Sequence, residues 1–430
     1  MDTKHAMKNA AGGRGRTGHT MPDQPAQQLP RDAYVSRAWF ERERRDLFGR
    51  CWTYAGVAQD LAMSGDYVTV SVGDYPLMVL RDESGTLRAF HNLCRHRGTE
   101  LVEGSGRLDR ARISCPYHRW TYDLDGSLRA VPMHARCFAD LDTDAYSLLP
   151  AAIGELGGLI FVNPDPQADF VAWHADLESV LWPHRFERMS AGLELTYEIH
   201  CNWKVFLENA IDGYHLAYLH SETLGGPRAD RNVWDVHGRH LVWYSTETGR
   251  KTCLPEGIAR AGIDTGQLPI EGAETGEYGG VFVLFPNTIV TATPTELVVS
   301  RLDAVTADLT RLHTRAWGRK GGEWRRWLGG ENVEDMPGYD PASGLLRLSC
   351  HKQHPLEIGD FHWEDVWICE KLQRSLRSPA YRCGRLAAGA GAEAPLEFFQ
   401  RNVLDYLTPV PGSTQDSFAA QPAEAVLGSG

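Results

Sequence analysis

Two short stretches of this chain each pair a cysteine with a histidine: Cys94-Arg95-His96, and, 18 residues further on, Cys115-Pro116-Tyr117-His118. Thiolate and imidazole are metal ligands, and two kinds of site suit four of them. A structural zinc site gathers Cys₂His₂ around one tetrahedral ion, usually with like ligands paired along the sequence. A Rieske [2Fe–2S] cluster gives two thiolates to one iron and two neutral imidazoles to the other. That raises its reduction potential above an all-cysteine cluster. Here each stretch mixes the two types, as C-x-H and C-x-x-H. Short, crossed spacings suit two adjacent irons better than a single zinc.

A second constellation, Asp212, His215 and His220, lies within nine residues. A 2-His-1-carboxylate triad holds non-haem Fe(II) and leaves positions open for O₂. Asp212 and His215, three apart, share a helix face. His215 and His220, five apart, stand about 140° apart round an ideal helix. Both reach one metal only if the helix is distorted, so a π-bulge or a loosened turn is expected between them.

Around these donors the chain reads CRHRG from 94, CPYHRWTYDLDG from 115, NWKxxxEN from 202 and DGYHxxxxH from 212. Over roughly residues 32–407 it resembles the large (α) subunit of the aromatic ring-hydroxylating oxygenase family, which contains a Rieske cluster. The resemblance implies one [2Fe–2S] cluster, with Cys94 and Cys115 on the inner iron and His96 and His118 on the outer one. It also implies one mononuclear Fe(II) per chain, held by His215, His220 and an Asp on a late helix. Asp212 is then a bridging carboxylate, hydrogen-bonded to His215 and to a Rieske histidine, here His118, of a neighbouring subunit. Asn209 matches a polar residue near the open iron position. The electron path crosses a subunit boundary, which implies a homotrimer. NAD(P)H-derived electrons arrive through a separate reductase, and the family also admits a ferredoxin and a small β subunit. Two residues separate Asn209 from Asp212 where some ring-hydroxylating dioxygenases have three, which weakens the analogy to naphthalene-type enzymes.

The late carboxylates are Asp360, Glu364 and Asp365. On a helix through this stretch Asp365, Cys369, Leu372 and Leu376 share an apolar face, and Glu364 falls on the more exposed side of Lys371. A buried carboxylate needs a partner, and an iron is one. Asp365, where the family motif aligns, is the expected ligand, with Glu364 the alternative.

The elements that must position these groups are legible in outline. Residues 52–162 read as short strands and turns: Tyr67–Val72 alternates, Pro76–Leu80 is apolar, and Gly157–Val162 is a further strand. Helices are expected over Trp203–Leu219 and Phe361–Arg377, and strands at Gly280–Phe285, Ile289–Thr293 and Glu296–Leu302. The expected fold class is α+β, with a small antiparallel β Rieske domain and a helix-grip (START-like) catalytic domain around a central antiparallel sheet. The division is a disordered tail at 1–31, an N-terminal helix packing on the catalytic domain at 32–50, the Rieske domain at 51–157, the catalytic domain at 158–407 and a disordered tail at 408–430.

Bulk properties narrow the function. The 430 residues carry a net charge of -12 with no basic run, which argues against nucleic-acid or anionic-membrane partners. No apolar stretch is long enough to span a membrane. Nine cysteines, an odd number, are no disulfide framework and fit a reducing, cytoplasmic setting. Apart from Cys94 and Cys115 they lack metal spacing and are expected to be small buried hydrophobes. Gly13–Gly18 matches GxGxxG, but lacks the strand and helix a dinucleotide site needs. His351 and His354 are set aside as loop residues, and Trp234, Trp243, Tyr244, Phe282 and Phe285 are weighed as pocket aromatics without assignment. The expected activity is O₂-dependent hydroxylation of a small organic substrate, with an aromatic ring first. The alternative is N-demethylation of a quaternary or tertiary amine of carnitine, choline or betaine type. Electron transfer alone is the remote reading.

Overall fold

The computed structural model describes residues 24–182, 184–223, 232–245, 280–293, 295–320, 327–328, 331–348, 352–389 and 393–408. Expectations for residues 1–23 and 409–430, for Cys253, Cys350 and His351, and for the Tyr244 side chain lie outside what is described.

One seven-stranded antiparallel sheet comprises β1 (Thr53–Val57), β2 (Asp66–Val72), β3 (Tyr75–Arg81), β4 (Leu87–His91), β5 (Ser105–Arg107), β9 (Pro150–Leu156) and β10 (Leu159–Asn163), in the order β1-β10-β9-β4-β3-β2-β5. Between β5 and β9 a three-stranded sheet forms from β6 (Arg112–Ser114), β7 (Thr121–Asp123) and β8 (Leu128–Ala130). The apolar run in β3 has a packing reason. Leu77 and Val79 enter the main core, while Met78 and Leu80 point into a separate core with Trp120, Tyr122, Cys94 and Cys115. A strand buried on both faces shows no alternation.

A second sheet runs β12 (Asn232–His237), β13 (His240–Ser245), β14 (Gly280–Leu284), β15 (Thr288–Ala292), β16 (Glu296–Thr306), β17 (Leu309–Arg319) and β11 (Met189–Ile199), extended by Leu345–Leu346 and Tyr339–Asp340. All its pairings are antiparallel except Leu345–Leu346 on β11. Helices α3 (Trp203–Ile211), α5 (Phe361–Leu376) and α6 (Ala394–Leu407) pack with it: Trp203, Phe206, Trp363, Val366 and Phe399 share a core with Leu195, Ile199, Val283, Leu302 and Leu312. The fold is α+β, a Rieske-type β unit beside a helix-gripped antiparallel sheet.

Three boundaries differ from expectation. The division at 157/158 falls inside the β9–β10 hairpin, because β10 lies between β1 and β9 in the first sheet. The segment 32–50 is not one helix but α1 (Asp32–Val35), α2 (Arg37–Arg42), a π-helical turn at Glu43–Leu47 and a 3₁₀ turn; Ser36, extended, caps α2 and separates it from α1. Residues 26–29, expected to be disordered, are held on α6: Gln28 N donates to Gln400 Oε1 at 2.7 Å, and Leu29 is fully buried.

The N-terminal segment and α3 are joined by buried polar contacts. Lys204 Nζ meets Glu43 Oε1 at 2.6 Å, and Glu43 also accepts from Trp39 Nε1 at 3.0 Å and Trp203 Nε1 at 2.9 Å. One turn on, Glu208 Oε1 accepts from the Tyr34 hydroxyl at 2.7 Å and Gln400 Nε2 at 3.0 Å. Burial pushes the Glu208 carboxyl up to about 7 despite these donors. A carboxyl raised on folding favours the fold fully below its unfolded value of about 4.5, and that contribution is lost as pH rises through about 7. Glu208→Gln is therefore expected to flatten the decline in thermal stability between pH 5 and 7, worth on the order of 3 kcal/mol. Melting curves across that range check it; an unchanged slope in the variant would place the ionisation elsewhere.

Candidate metal centres

The four Rieske candidates lie on two loops of matching hydrogen-bond design. After β4, Cys94 N donates to Thr99 O and Cys94 O accepts from Gly98 N, both at 2.8 Å. Between β6 and β7, Cys115 N donates to Trp120 O at 2.8 Å and Cys115 O accepts from Arg119 N at 3.1 Å. Equivalent positions turn left-handed, Gly98 with φ of 75° and Arg119 with φ of 59°. Glycine adopts this freely; arginine does so against a cost of about 1 kcal/mol, so the loop imposes it. Both thiols are buried, and Cys94 Sγ lies 3.4 Å from the Tyr122 hydroxyl. The His96 and His118 rings are 4.7 Å apart, and His96 stacks on Trp120 at 4.9 Å.

This geometry tests the zinc alternative. One tetrahedral ion draws its donors to within about 4 Å of one another. Among the described residues, the only three or more ligating atoms of His, Cys, Asp and Glu that all lie within 4.8 Å of one another belong to other residues. The His96 and His118 rings lie side by side and Cys94 lies beside Cys115, a paired arrangement that a binuclear cluster would use. His96 Nδ1 is buried without a hydrogen-bond partner, so it is open to a metal.

Among the described residues, the single convergent group is His215, His220 and Asp365. Asn202 caps α3, its side chain accepting from Lys204 N at 3.1 Å. The helix ends at Ile211 because Asp212 turns extended (φ -85°, ψ 101°) and its Oδ1 accepts from Tyr214 N at 2.7 Å. After Gly213 and Tyr214 comes one helical turn, α4 (Leu216–Leu219), with His215 and His220 as its two caps. In place of the expected π-bulge or loosened turn between the histidines there is a full break ahead of His215, made by Asp212. His215 Nε2 and His220 Nε2 are 3.1 Å apart, and Asp365 Oδ1 lies 3.5 Å and 3.0 Å from them. Donors at about 2.1 Å from a metal and at right angles sit about 3.0 Å apart, so one octahedral face fits these atoms.

Asp212 Oδ2 stands 3.3 Å from His215 Nδ1. Asn209, on the last turn of α3, enters through its backbone carbonyl, which accepts from Asp212 N at 3.1 Å. Asp360 is occupied as the α5 cap, accepting from His362 N and Trp363 N.

Glu364 corrects the sequence-based expectation. It is 2% exposed, and its Oε2 lies 2.5 Å from His220 Nδ1 and accepts from Thr223 Oγ1 at 2.8 Å. The face argument misplaced it because Leu372, expected on the buried side, is exposed. So each histidine has a carboxylate behind it, Asp212 for His215 and Glu364 for His220. Such a partner fixes the tautomer and turns the other nitrogen to the metal. No spacing signal identified Glu364 for this position. Cys51, Cys201 and Cys369 are buried as expected, whereas Cys137 and Cys383 are exposed. Phe282 and Phe285 are core residues, Trp234 and Trp243 form a cross-strand pair, and His354 caps a short helix.

In the metal-free chain burial opposes charge on His215, but Asp212 and Asp365 outweigh it and lift its pKa to about 10. That proton supports the metal-free fold fully below about 6.5, and the support fades as pH rises through about 10. An incoming metal must displace it. Adding Fe(II) anaerobically near neutral pH is expected to release about one proton, read by an indicator dye in weak buffer; no release would mean His215 is already neutral. Glu364→Gln is expected to weaken Fe(II) binding by about 10–100-fold while Leu372→Ala leaves it unchanged, as measured by iron retention against a competing chelator.

Comparison with known proteins agrees with this layout. Residues 51–147 match the Rieske [2Fe-2S] domain, and residues 186–409 match the ring hydroxylating alpha subunit (catalytic domain). The glycine betaine monooxygenase oxygenase subunit of Chromohalobacter salexigens is 35% identical over 201 residues, 46% of this chain and 44% of that protein. The chain therefore spans under half the length of that relative. The carnitine monooxygenase oxygenase subunit of Escherichia coli is 29% identical over 280 residues, 63% of this chain and 69% of that protein. Among solved structures, the quaternary ammonium Rieske monooxygenase CntA in complex with substrate L-carnitine superposes with a TM-score of 0.68 at 23% identity, over 90% of this chain and 97% of that one. Naphthalene 1,2-dioxygenase from Rhodococcus sp. gives 0.63 at 20% identity, over 88% and 94%. The two matched domains imply a Rieske cluster and a mononuclear iron, and the donor sets fit both. With the catalytic-domain match covering more than half its length, the chain belongs to the ring-hydroxylating alpha subunit family, whose members join a Rieske [2Fe–2S] domain to a mononuclear iron domain.

Proposed function

We propose that this protein is the oxygenase component of a system that hydroxylates a carbon next to nitrogen in a small quaternary or tertiary amine. One observation carries the reading: relatives found by sequence are named for glycine betaine, carnitine and choline. The aromatic ring, placed first from sequence, now comes second. Its support is the likeness to naphthalene 1,2-dioxygenase, which at 20% identity speaks for the fold alone.

In this reading Cys94 and Cys115 hold one iron of the cluster and His96 and His118 the other. His215, His220 and Asp365 hold the mononuclear iron, and Asn209 lies near its open position. Bound there, the iron supplies O₂ activation. The chain's own groups do the rest. Glu364 holds the His220 imidazole as a neutral ligand by taking the hydrogen bond at its far nitrogen, and Asp212, 3.3 Å from His215 Nδ1, stands where it orients the other. Asp212 also links His215 to a Rieske histidine, His118, of a neighbouring subunit in a homotrimer. For an N-methyl substrate the balance is one O₂, two electrons and two protons in, and one water and an N-hydroxymethyl product out. That product loses formaldehyde and leaves the amine one methyl shorter. A separate reductase draws the electrons from NAD(P)H. The described residues include no helix long and apolar enough to cross a membrane.

A single-turnover experiment tests the assignment. The iron-loaded protein is reduced anaerobically, exposed to O₂ and offered trimethylammonium compounds or aromatic acids and hydrocarbons. Formaldehyde with a demethylated amine is the expected result. A hydroxylated ring restores the aromatic reading. Reoxidation of both centres with neither product overturns both substrate classes. A protein that carries two irons rather than three is an electron carrier.

A further inference from the structure

The two candidate iron histidines stand against different carboxylates, and those carboxylates are held in different ways. Asp212 is aimed by its own backbone turn: Oδ1 accepts from Tyr214 N at 2.7 Å, and Oδ2 faces His215 Nδ1 at 3.3 Å. Glu364 has one more rotatable bond, and its terminal torsion is broad. It reaches His220 from α5, 144 positions away in the chain, so no turn shared with His220 can aim it.

A hydroxyl takes that part. Thr223 Oγ1 donates to Glu364 Oε2 at 2.8 Å, the same oxygen that lies 2.5 Å from His220 Nδ1. Glu364 is 2% exposed, so its carboxylate depends on donors from the protein rather than on water. It stands in the first turn of α5, where the helix end favours negative charge but leaves the torsions of the side chain free. Thr223 is half-buried and follows His220 by three residues. His220 and Thr223 therefore close on one oxygen of α5, and the turn between them is pinned to that helix before a metal binds.

We propose that Thr223 is a positioning residue for the mononuclear iron. Its hydroxyl holds Glu364 Oε2 at His220 Nδ1, which keeps the imidazole proton on Nδ1 and leaves Nε2 free for the metal. The inference rests on the reading of His215, His220 and Asp365 as the iron ligands, and it adds to that site a residue that touches neither metal nor ligand.

Fe(II) retention by the full-length protein against a competing chelator tests this. Thr223→Val removes the hydroxyl at nearly constant shape and is expected to weaken Fe(II) binding about tenfold. Thr223→Ala is expected to do the same, and it replaces the valine variant if that one fails to fold. Thr223→Ser keeps the donor and is expected to bind as the wild type does. A double-mutant cycle separates positioning from packing: with Glu364→Ala already in place, Thr223→Val is expected to weaken binding no further, because the hydroxyl acts through that carboxylate. Unchanged retention in the valine and alanine variants overturns the proposal. So does a loss that serine fails to restore, or one that persists beside Glu364→Ala. A wild-type protein that retains no Fe(II) overturns the iron reading itself, and the proposal with it.

Discussion

An ammonium group with no exposed surface organises much of this molecule. Lys204 lies 2.6 Å from Glu43, also fully buried, with its Nζ over the rings of Tyr34 and Trp203 at 5.4 and 5.2 Å. Charges so deep are costly alone, and removing one partner of such a pair typically costs about 3–5 kcal/mol. The pair therefore commits the N-terminal segment to the flank of α3. That helix starts at the Asn202 cap, which is itself tied to α5 by Asn202 N donating to Gln373 Oε1 at 3.0 Å. Its far end is the Asp212 break, from which His215 and His220 descend. The candidate iron donors are thus set by a frame closed from three directions before any metal arrives.

The two sites solve the placing of ligands differently. The Rieske loops are twins: each encloses its cysteine between one hydrogen bond to the residue four ahead and one to the residue five ahead. Local geometry supplies the four candidate ligands, and the β scaffold only brings the loops together. The mononuclear site cannot be local, because His220 and Asp365 are 145 positions apart. It needs the α3–α5 packing of Trp203, Leu207, Trp363 and Val366 to set that distance.

Legibility in the sequence follows that difference. The two Cys–His loops could be read directly, since short spacings on turns carry their own geometry. The histidine pair could be read too, together with the need for some distortion, because five residues do not fit one helical face, but its place ahead of His215 could not. The agent of the break was not, as nothing in the spacing says that Asp212 spends one oxygen on the turn and aims the other at His215. Glu364 was misread for a related reason. Facial arithmetic on an isolated helix assumes one neighbour, whereas α5 is packed by α1, α3 and a short helix at Pro355–Ile358, so the face holding Glu364 is covered and Leu372 is not. Strand β10 was read as a strand but given to the wrong unit, because pairing partners leave no local trace in an apolar run.

That misplaced strand bears on how the protein can be taken apart. Strand β10 fills the slot between β1 and β9, pairing with Thr53–Val57 on one side and Ala152–Leu156 on the other. A graft of the cluster-bearing unit onto another oxygenase that stopped at Gly157 would strand β1 and expose two unpaired sheet edges. The transplantable module therefore extends at least to Asn163, and chimaeras joined in the following 164–188 segment preserve every backbone pairing of the first sheet.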